Sequence, residues 1–128
     1  MKILLDTQAF LWLILDAPTL SSKAKKIFLD SNSKLYLSLA SVWEMAIKIS
    51  LGKLKIHQPL SQLIPHQLQE NNIIQLDIHF RHIIRTSTLP FYHRDPFDRL
   101  IISQALEEDL SILSSDTAFD SYKVKRIW

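Results

Sequence analysis

Four acidic residues, Asp6, Glu44, Asp98 and Asp116, stand where an apolar run or a turn gives way to a helix start, and carboxylates at such points can do chemistry. Asp6 follows the run KILL, Asp116 follows SILSS, Glu44 comes three residues after Ser41, and Asp98 three residues after Asp95. Taken singly, each has a structural explanation. Ser41 with Glu44 reads as a capping box, while Asp95, Pro96 and Asp98 read as an N-cap, a proline at the first helical position and an acid favoured by the helix dipole. Capping explains a second acid in one first turn less well, because two carboxylates a turn apart repel each other unless Arg94, Arg99 or a metal lies beside them. Carboxylates crowded on one rim raise each other's pKa, so a divalent cation is their natural partner. An all-oxygen set suits Mg²⁺ or Mn²⁺ better than zinc. The chemistry it serves is hydrolysis of a phosphodiester by a metal-activated water.

The elements that must position these acids follow from the apolar pattern. Residues 2–5 read as a buried strand and 8–15 as a helix capped by Thr7, with Phe10, Leu11, Leu13 and Ile14 at helical spacing. Ser21 and Ser22 start a second helix, with Ala24, Ile27 and Phe28 inward and Lys23, Lys25 and Lys26 outward. Residues 35–39 form a second strand, followed by a helix capped at Ser41 and closed by Gly52. Residues 61–72 predict a helix that Pro65 must either start late or kink. Residues 73–78 read as a third strand and 79–87 as a helix with Phe80, Ile83 and Ile84 on one side and His79, His82, Arg81 and Arg85 elsewhere. A metal role for the histidine pair is outweighed by a surface position, since no third nitrogen or sulfur ligand stands near them in the sequence. The stretch HRDPFDRLIISQALEEDL predicts a core helix from Pro96, ended by Glu107, Glu108 and Asp109. A fourth strand up to Asp116, a helical turn and a last edge strand in KVKRIW complete the chain. Alternating strands and helices argue for an α/β fold with a mainly parallel sheet, whose crevice lies beyond the strand carboxyl ends.

Composition narrows the field. The 128 residues, 47% of them hydrophobic, suit a single domain, 1–128. There is no cysteine, which excludes disulfides and thiolate metal sites, and a single glycine excludes a glycine-rich phosphate loop. The start MKILLD reads as neither a signal peptide nor a membrane span, so a soluble cytoplasmic protein is expected. A net charge of +2 is a weak argument for nucleic acid, although acids converging on one point would leave the rest of the surface more basic.

The pieces ILLDT, SVWEMAIKISLGKL, HRDPFDRLIISQA and SSDTAF, in that order, resemble PIN-domain proteins, specifically VapC-like ribonuclease toxins of toxin-antitoxin pairs. The resemblance spans essentially the whole chain. It implies a three-layer α/β/α sandwich with a five-stranded parallel sheet, and a Mg²⁺-dependent endoribonuclease, usually dimeric and held inactive by an antitoxin. By motif, Asp6, Glu44, Asp98 and Asp116 match the catalytic acids, with Asp6, Asp98 and Asp116 as metal ligands. Asp95 matches an extra acid of the DPFD subgroup, Thr7 is a further auxiliary candidate, and Ser114 stands where the family usually has threonine and keeps its hydroxyl. Lys48, Lys53, Arg94, Arg99 and the basic terminal strand are candidates for contacts to the RNA. The apolar helices at 10–15 and 42–49 carry more hydrophobic surface than one core face requires and are candidates for antitoxin binding and self-association.

Other readings fit less well. A non-catalytic RNA-binding or scaffold protein of the same fold would be marked by a missing acid, and none is missing. A phospho-receiver domain built on Asp77 needs an adjacent acidic pair after the first strand, where Asp6 stands single. A haloacid-dehalogenase-like phosphatase needs an acid where Gln8 stands.

Overall fold

The run KILL shows no polar alternation because both faces of its strand are covered, which is the signature of a strand inside a parallel sheet. In the computed structural model, which describes residues 1–128, β1 (Lys2–Leu5) is the central strand. The chain continues through α1 (Thr7–Ile14), α2 (Ser22–Leu29), β2 (Lys34–Ser38), α3 (Leu39–Ser50) and α4 (Leu60–Glu70). It then forms β3 (Ile73–Leu76), α5 (Phe80–Thr86), α6 (Pro96–Glu108), β4 (Ser111–Leu113), a 3-10 turn (Thr117–Ser121) and β5 (Arg126–Ile127). The strands make one sheet in the order β3-β2-β1-β4-β5, and every pairing is parallel.

Side chains leave the strands alternately and build two cores. Ile3, Leu5, Leu35, Leu37 and Leu113 face one way and pack with Ala9, Phe10, Leu11, Ala24, Met45 and Ile64. Leu4 and Ile112 face the other way and pack with Ile101, Ile102, Ala105, Phe119 and Tyr122. Helices on both faces make the α/β/α sandwich that the resemblance implied. At about 0.8 kcal/mol per buried methylene, two cores drawn from both faces of one sheet dominate its stability.

Several local expectations change. Asp6, not Thr7, caps α1: its Oδ1 accepts from the Ala9 amide at 2.6 Å, and Thr7 is already helical. Ser38, not Ser41, caps α3, accepting from the Ala40 amide at 2.9 Å. Because β2 passes into α3 without a loop, the Ser41 to Glu44 spacing that imitates a capping box lies inside the helix, and Glu44 sits in its second turn rather than its first. Helix α4 begins at Leu60, so Pro65 lies within it and leaves the Ser61 carbonyl without its usual helical donor. Strand β3 stops at Leu76 rather than 78, and β5 is only two residues long, with Lys123 and Lys125 outside it.

Helix α5 is turned opposite to its apolar pattern. Phe80, Ile83 and Ile84 are exposed, whereas His82 is fully buried. The reason lies in α6, whose facing residues are polar: Ser103 donates to the His82 carbonyl, and Glu108 Oε1 lies 2.8 Å from His82 Nε2. The His82 ring also accepts from the His79 amide through Nδ1 at 3.0 Å. The run Glu107, Glu108 and Asp109 ends α6 as expected, the last helical residue being Glu108 and Asp109 taking a left-handed conformation, φ 54°; Glu107 and Glu108 also pair with Arg85 and Arg81.

Candidate functional site

In an open parallel sheet the chain leaves neighbouring strands in opposite directions where strand order reverses, and a crevice opens there. Here that point lies between β1 and β4, since β1 is followed in sequence by β2 on one side while β4 lies on the other. Asp6 follows the carboxyl end of β1, and Asp116 stands three residues past β4. A crevice of about 230 Å³ at this place is lined by Asp6, Glu44, Lys48, Asp98, Asp116 and Phe119. All four acids singled out in the sequence thus share one cavity.

Each acid is held by its own element. Asp6 and Glu44 are buried, Asp98 is half-buried and Asp116 is exposed. Asp116 caps the 3-10 turn, its Oδ1 accepting from the Ala118 amide at 3.0 Å, while its own amide donates to Ser114 Oγ at 3.0 Å. Thr7 donates to Glu44 Oε1 at 2.7 Å, and Ser41 Oγ lies 2.9 Å from the Thr7 hydroxyl. Lys48, one turn on from Glu44, reaches Glu44 Oε2 at 2.8 Å. Both oxygens of Glu44 are therefore engaged, which leaves Asp6, Asp98 and Asp116 as the freer carboxylates.

Electrostatics mark the same residues. Burial pushes the Asp98 carboxyl from 3.8 up to about 7, and the neighbouring charges of Asp95, Glu44, Asp6 and Asp116 push in the same direction. Asp6 is raised chiefly by burial, against the Ser114 hydroxyl and the Ala9 amide, which stabilise its ionised form; Asp116 and Glu44 add to the rise. Lys48 is the one protein cation that lines the crevice, and Glu44 already holds it. An oxygen-rich pocket with surplus negative charge and carboxyls resisting ionisation fits a hard divalent cation.

The auxiliary and RNA-contact candidates separate. Asp95 is a helix cap: its Oδ1 accepts from the amides of Phe97 at 2.8 Å and Asp98 at 3.2 Å, and it does not line the crevice. Thr7 and Ser114 serve the acids directly, as described. Lys48 is at the site and half-exposed; Lys53 is exposed beyond the α3 terminus and does not line the crevice. Arg94 is exposed and borders a separate apolar hollow with Trp43, Phe91 and Phe97.

Arg99 is a correction. It is buried and donates to the carbonyls of Pro90 and Thr86, both at 2.9 Å, and of Leu89 at 3.3 Å, with its guanidinium 4.0 Å over the Phe91 ring. Its donors are committed to these carbonyls rather than to Asp98, and it ties down the loop that leads into α6. In the terminal strand, Arg126 is likewise committed, to Asp120 and to the Ser114 carbonyl. Asp77, the acid that a receiver domain would need, is exposed and does not line the crevice.

His93 stands outside the residues that the motifs single out. It is buried, its Nε2 lies 3.4 Å from Asp116 Oδ2, and donor atoms of His93, Asp98 and Asp116 all lie within 4.8 Å of one another. The available signal was its place two residues before Asp95, in the loop that must pass over the crevice to start α6.

Fold and site together define an α/β protein with a carboxylate crevice at the carboxyl edge of a parallel sheet. The PIN domain family model matches residues 3–125, and the chain belongs to that family. No curated protein matches the sequence. Among solved structures, the chain is similar to one in the VapBC2 complex of Rickettsia felis bound to a DNA fragment from its promoter, with TM-score 0.75 and 15% identity over 99% of this chain and 98% of that one. It is also similar to a chain of DNA-bound VapBC from Salmonella typhimurium, with TM-score 0.69 and 16% identity over 99% and 97%. FitAcB of Neisseria gonorrhoeae gives TM-score 0.64 and 19% identity over 98% and 96%. These likenesses establish the PIN fold from end to end.

Proposed function

We propose that this chain is a Mg²⁺-dependent endoribonuclease acting as the toxin of a toxin-antitoxin pair, with Mn²⁺ able to replace Mg²⁺. The observation that carries this reading is the convergence of Asp6, Glu44, Asp98 and Asp116 on one crevice, with Asp6 and Asp98 driven toward protonation by burial first and then by neighbouring carboxylates. PIN domains are generally nucleases, and the similar chains from Rickettsia, Salmonella and Neisseria come from VapBC and FitAB assemblies. An antitoxin and a second copy of this chain are the partners we infer.

Asp6, Asp98 and Asp116 would hold the cation, which supplies positive charge that acidifies a water and offsets the charge growing on the phosphate. The chain's own residues do the rest. Asp6 and Asp116 each give one oxygen to a backbone amide, which fixes the direction of the other. Glu44, clamped by Thr7 and Lys48, is a fixed negative charge beside the three ligands, and half-exposed Lys48 is placed to meet a phosphate oxygen of the RNA. Phe119 forms an apolar part of the crevice wall.

The test is incubation of the purified chain with total and transfer RNA in Mg²⁺, in Mn²⁺ and in EDTA. Endonucleolytic products that appear with either ion and vanish on chelation are expected. Cleavage that continues after complete chelation, or a metal-loaded chain that cuts no RNA at any ionic strength, refutes the assignment. If the open reading frame immediately upstream encodes a small antitoxin, co-expression with it should yield a complex with cleavage suppressed.

A further inference from the structure

His93 is the one buried polar side chain at the crevice for which the carboxylate reading has no use. Its ring is clamped by aromatic neighbours, with centroids 4.9 Å from Phe119 and 5.5 Å from Tyr122. Its backbone is fixed as well, since the His93 amide donates to the Tyr122 hydroxyl at 2.9 Å and that hydroxyl donates to the Pro90 carbonyl at 3.2 Å. The imidazole therefore cannot swing away, and its Nε2 is presented to Asp116 at 3.4 Å.

That contact is long for a hydrogen bond. The other nitrogen, Nδ1, is buried and has no partner at all. A buried imidazole whose Nε2 makes only one long contact is poorly satisfied as a structural residue, and a purely structural role would be served as well by phenylalanine between Phe119 and Tyr122. The polar ring makes sense where Nε2 has a second, stronger partner.

Geometry supplies one. A donor atom from each of His93, Asp98 and Asp116 lies within 4.8 Å of the others. In an octahedral site with bonds of about 2.1 Å, opposite ligands stand about 4.2 Å apart and adjacent ones about 3 Å apart. Small rotations of two carboxylates on a fixed imidazole would close the three atoms onto one ion. Ligation would fix the tautomer, with the Nε2 lone pair on the ion and the proton on Nδ1; Nδ1 keeps no protein partner in either case, so Nε2 alone carries the assignment.

We propose that His93 is a direct nitrogen ligand of the divalent cation, making the site a mixed set of one imidazole and the carboxylates of Asp98 and Asp116. This rests on the reading that the crevice holds such a cation. Its consequence is selectivity: imidazole suits first-row ions such as Fe²⁺, Ni²⁺ and Zn²⁺, and Mn²⁺, at the weak end of that series, tolerates it better than Mg²⁺ does, so the protein should favour Mn²⁺ over Mg²⁺ by more than four carboxylates would.

The experiment uses the full chain with Mn²⁺ as a paramagnetic probe. Pulsed electron paramagnetic resonance on Mn²⁺-loaded protein should show coupling to one directly bound histidine nitrogen, and growth with ¹⁵N-histidine should change that coupling. No variant is needed for this step, and the other four histidines lie outside the cluster. His93→Gln should then lose the nitrogen coupling and weaken Mn²⁺ binding about tenfold by calorimetry, with Mg²⁺ binding changed less than threefold. A wild-type spectrum with bound Mn²⁺ and no histidine nitrogen overturns the proposal, leaves the carboxylate site intact and reduces His93 to a positioning residue for Asp116. Absence of Mn²⁺ binding to the wild-type protein overturns both the proposal and the cation reading beneath it. His93→Gln that keeps the nitrogen coupling also overturns the assignment.

Discussion

Asp98→Asn is the most discriminating perturbation, because it should make the metal-free protein more stable while removing its chemistry. The carboxyl is raised from 3.8 to about 7 by burial first and then by Asp95, Glu44, Asp6 and Asp116. At about 1.4 kcal/mol per pKa unit, holding this group ionised costs the folded state about 4 kcal/mol, and screening at a half-buried position brings the expected cost to about 2 kcal/mol. Asparagine keeps the shape and removes the charge, so the variant should melt about 5–10 °C above the parent in EDTA at pH 8. The sign follows from the raised pKa. Below the unfolded value of about 3.9 the group is neutral in both states and carries no penalty; between about pH 4 and 7 the folded state holds the extra proton and stability falls as pH rises; above about pH 7 the full penalty is present. The gap between variant and parent should thus be widest at pH 8 and close by pH 4. Added Mg²⁺ should stabilise the parent in proportion to the logarithm of its concentration and leave the variant nearly unmoved. Thermal melts at pH 4, 6 and 8, with EDTA and with Mg²⁺, make the measurement. A variant no more stable than the parent at pH 8, or a gap that persists unchanged at pH 4, refutes the electrostatic account of the crevice.

Three further substitutions probe the supports of the site. Asp95→Asn should keep both the cap and cleavage, whereas Asp95→Ala should lose about 1 kcal/mol in urea denaturation and still cleave; loss of cleavage in a stable Asp95→Asn protein would place this acid in the catalytic cluster. Arg99→Lys should cost about 2–3 kcal/mol, because one ammonium cannot serve three backbone carbonyls and stack on Phe91, and RNA affinity measured by filter binding should stay unchanged if the protein is held folded. Thr7→Val should lower the cleavage rate at least tenfold with a stability loss of about 1–2 kcal/mol, since the Thr7 hydroxyl's contacts to Glu44 and Ser41 are lost and the rest of the site is kept.

The readable parts of the sequence were those where local pattern and tertiary role coincide. KILL, SILSS and the apolar stripe from Leu100 to Leu106 belong to elements buried as their composition requires, and Asp95 with Pro96 starts α6 as cap and first residue. Misreadings arose where a partner element decides. Helix α5 carries Phe80, Ile83 and Ile84 as if for a core, yet the polar face of α6 turns His82 inward instead. Arg99 reads as a surface cation until the loop 86–90 folds back and offers it three carbonyls. The Ser41 to Glu44 pair has capping spacing by coincidence, since nothing in one sequence says that β2 runs into α3 without a loop. His93 was missed for a related reason: its partners Asp116, Phe119 and Tyr122 lie more than twenty residues away, and no spacing rule links a loop histidine to them.

The capping and site readings of these acids opposed each other in the sequence, and the structure dissolves that opposition through the two oxygens of a carboxylate. Asp6 gives Oδ1 to the Ala9 amide and Asp116 gives Oδ1 to the Ala118 amide, so one oxygen of each does the work of a cap. The second oxygen is then aimed by a bond that also secures the start of a helical turn, and the turn's own dipole favours the charge. A side chain held in this way loses little further freedom when it takes a ligand, which is the advantage of placing a metal-type acid at a cap. Asp98 lacks such a bond because Asp95 already serves its helix. Burial first and the neighbouring carboxylates second oppose its ionisation with no cap bond to offset them, so its ionisation should depend strongly on what else enters the crevice.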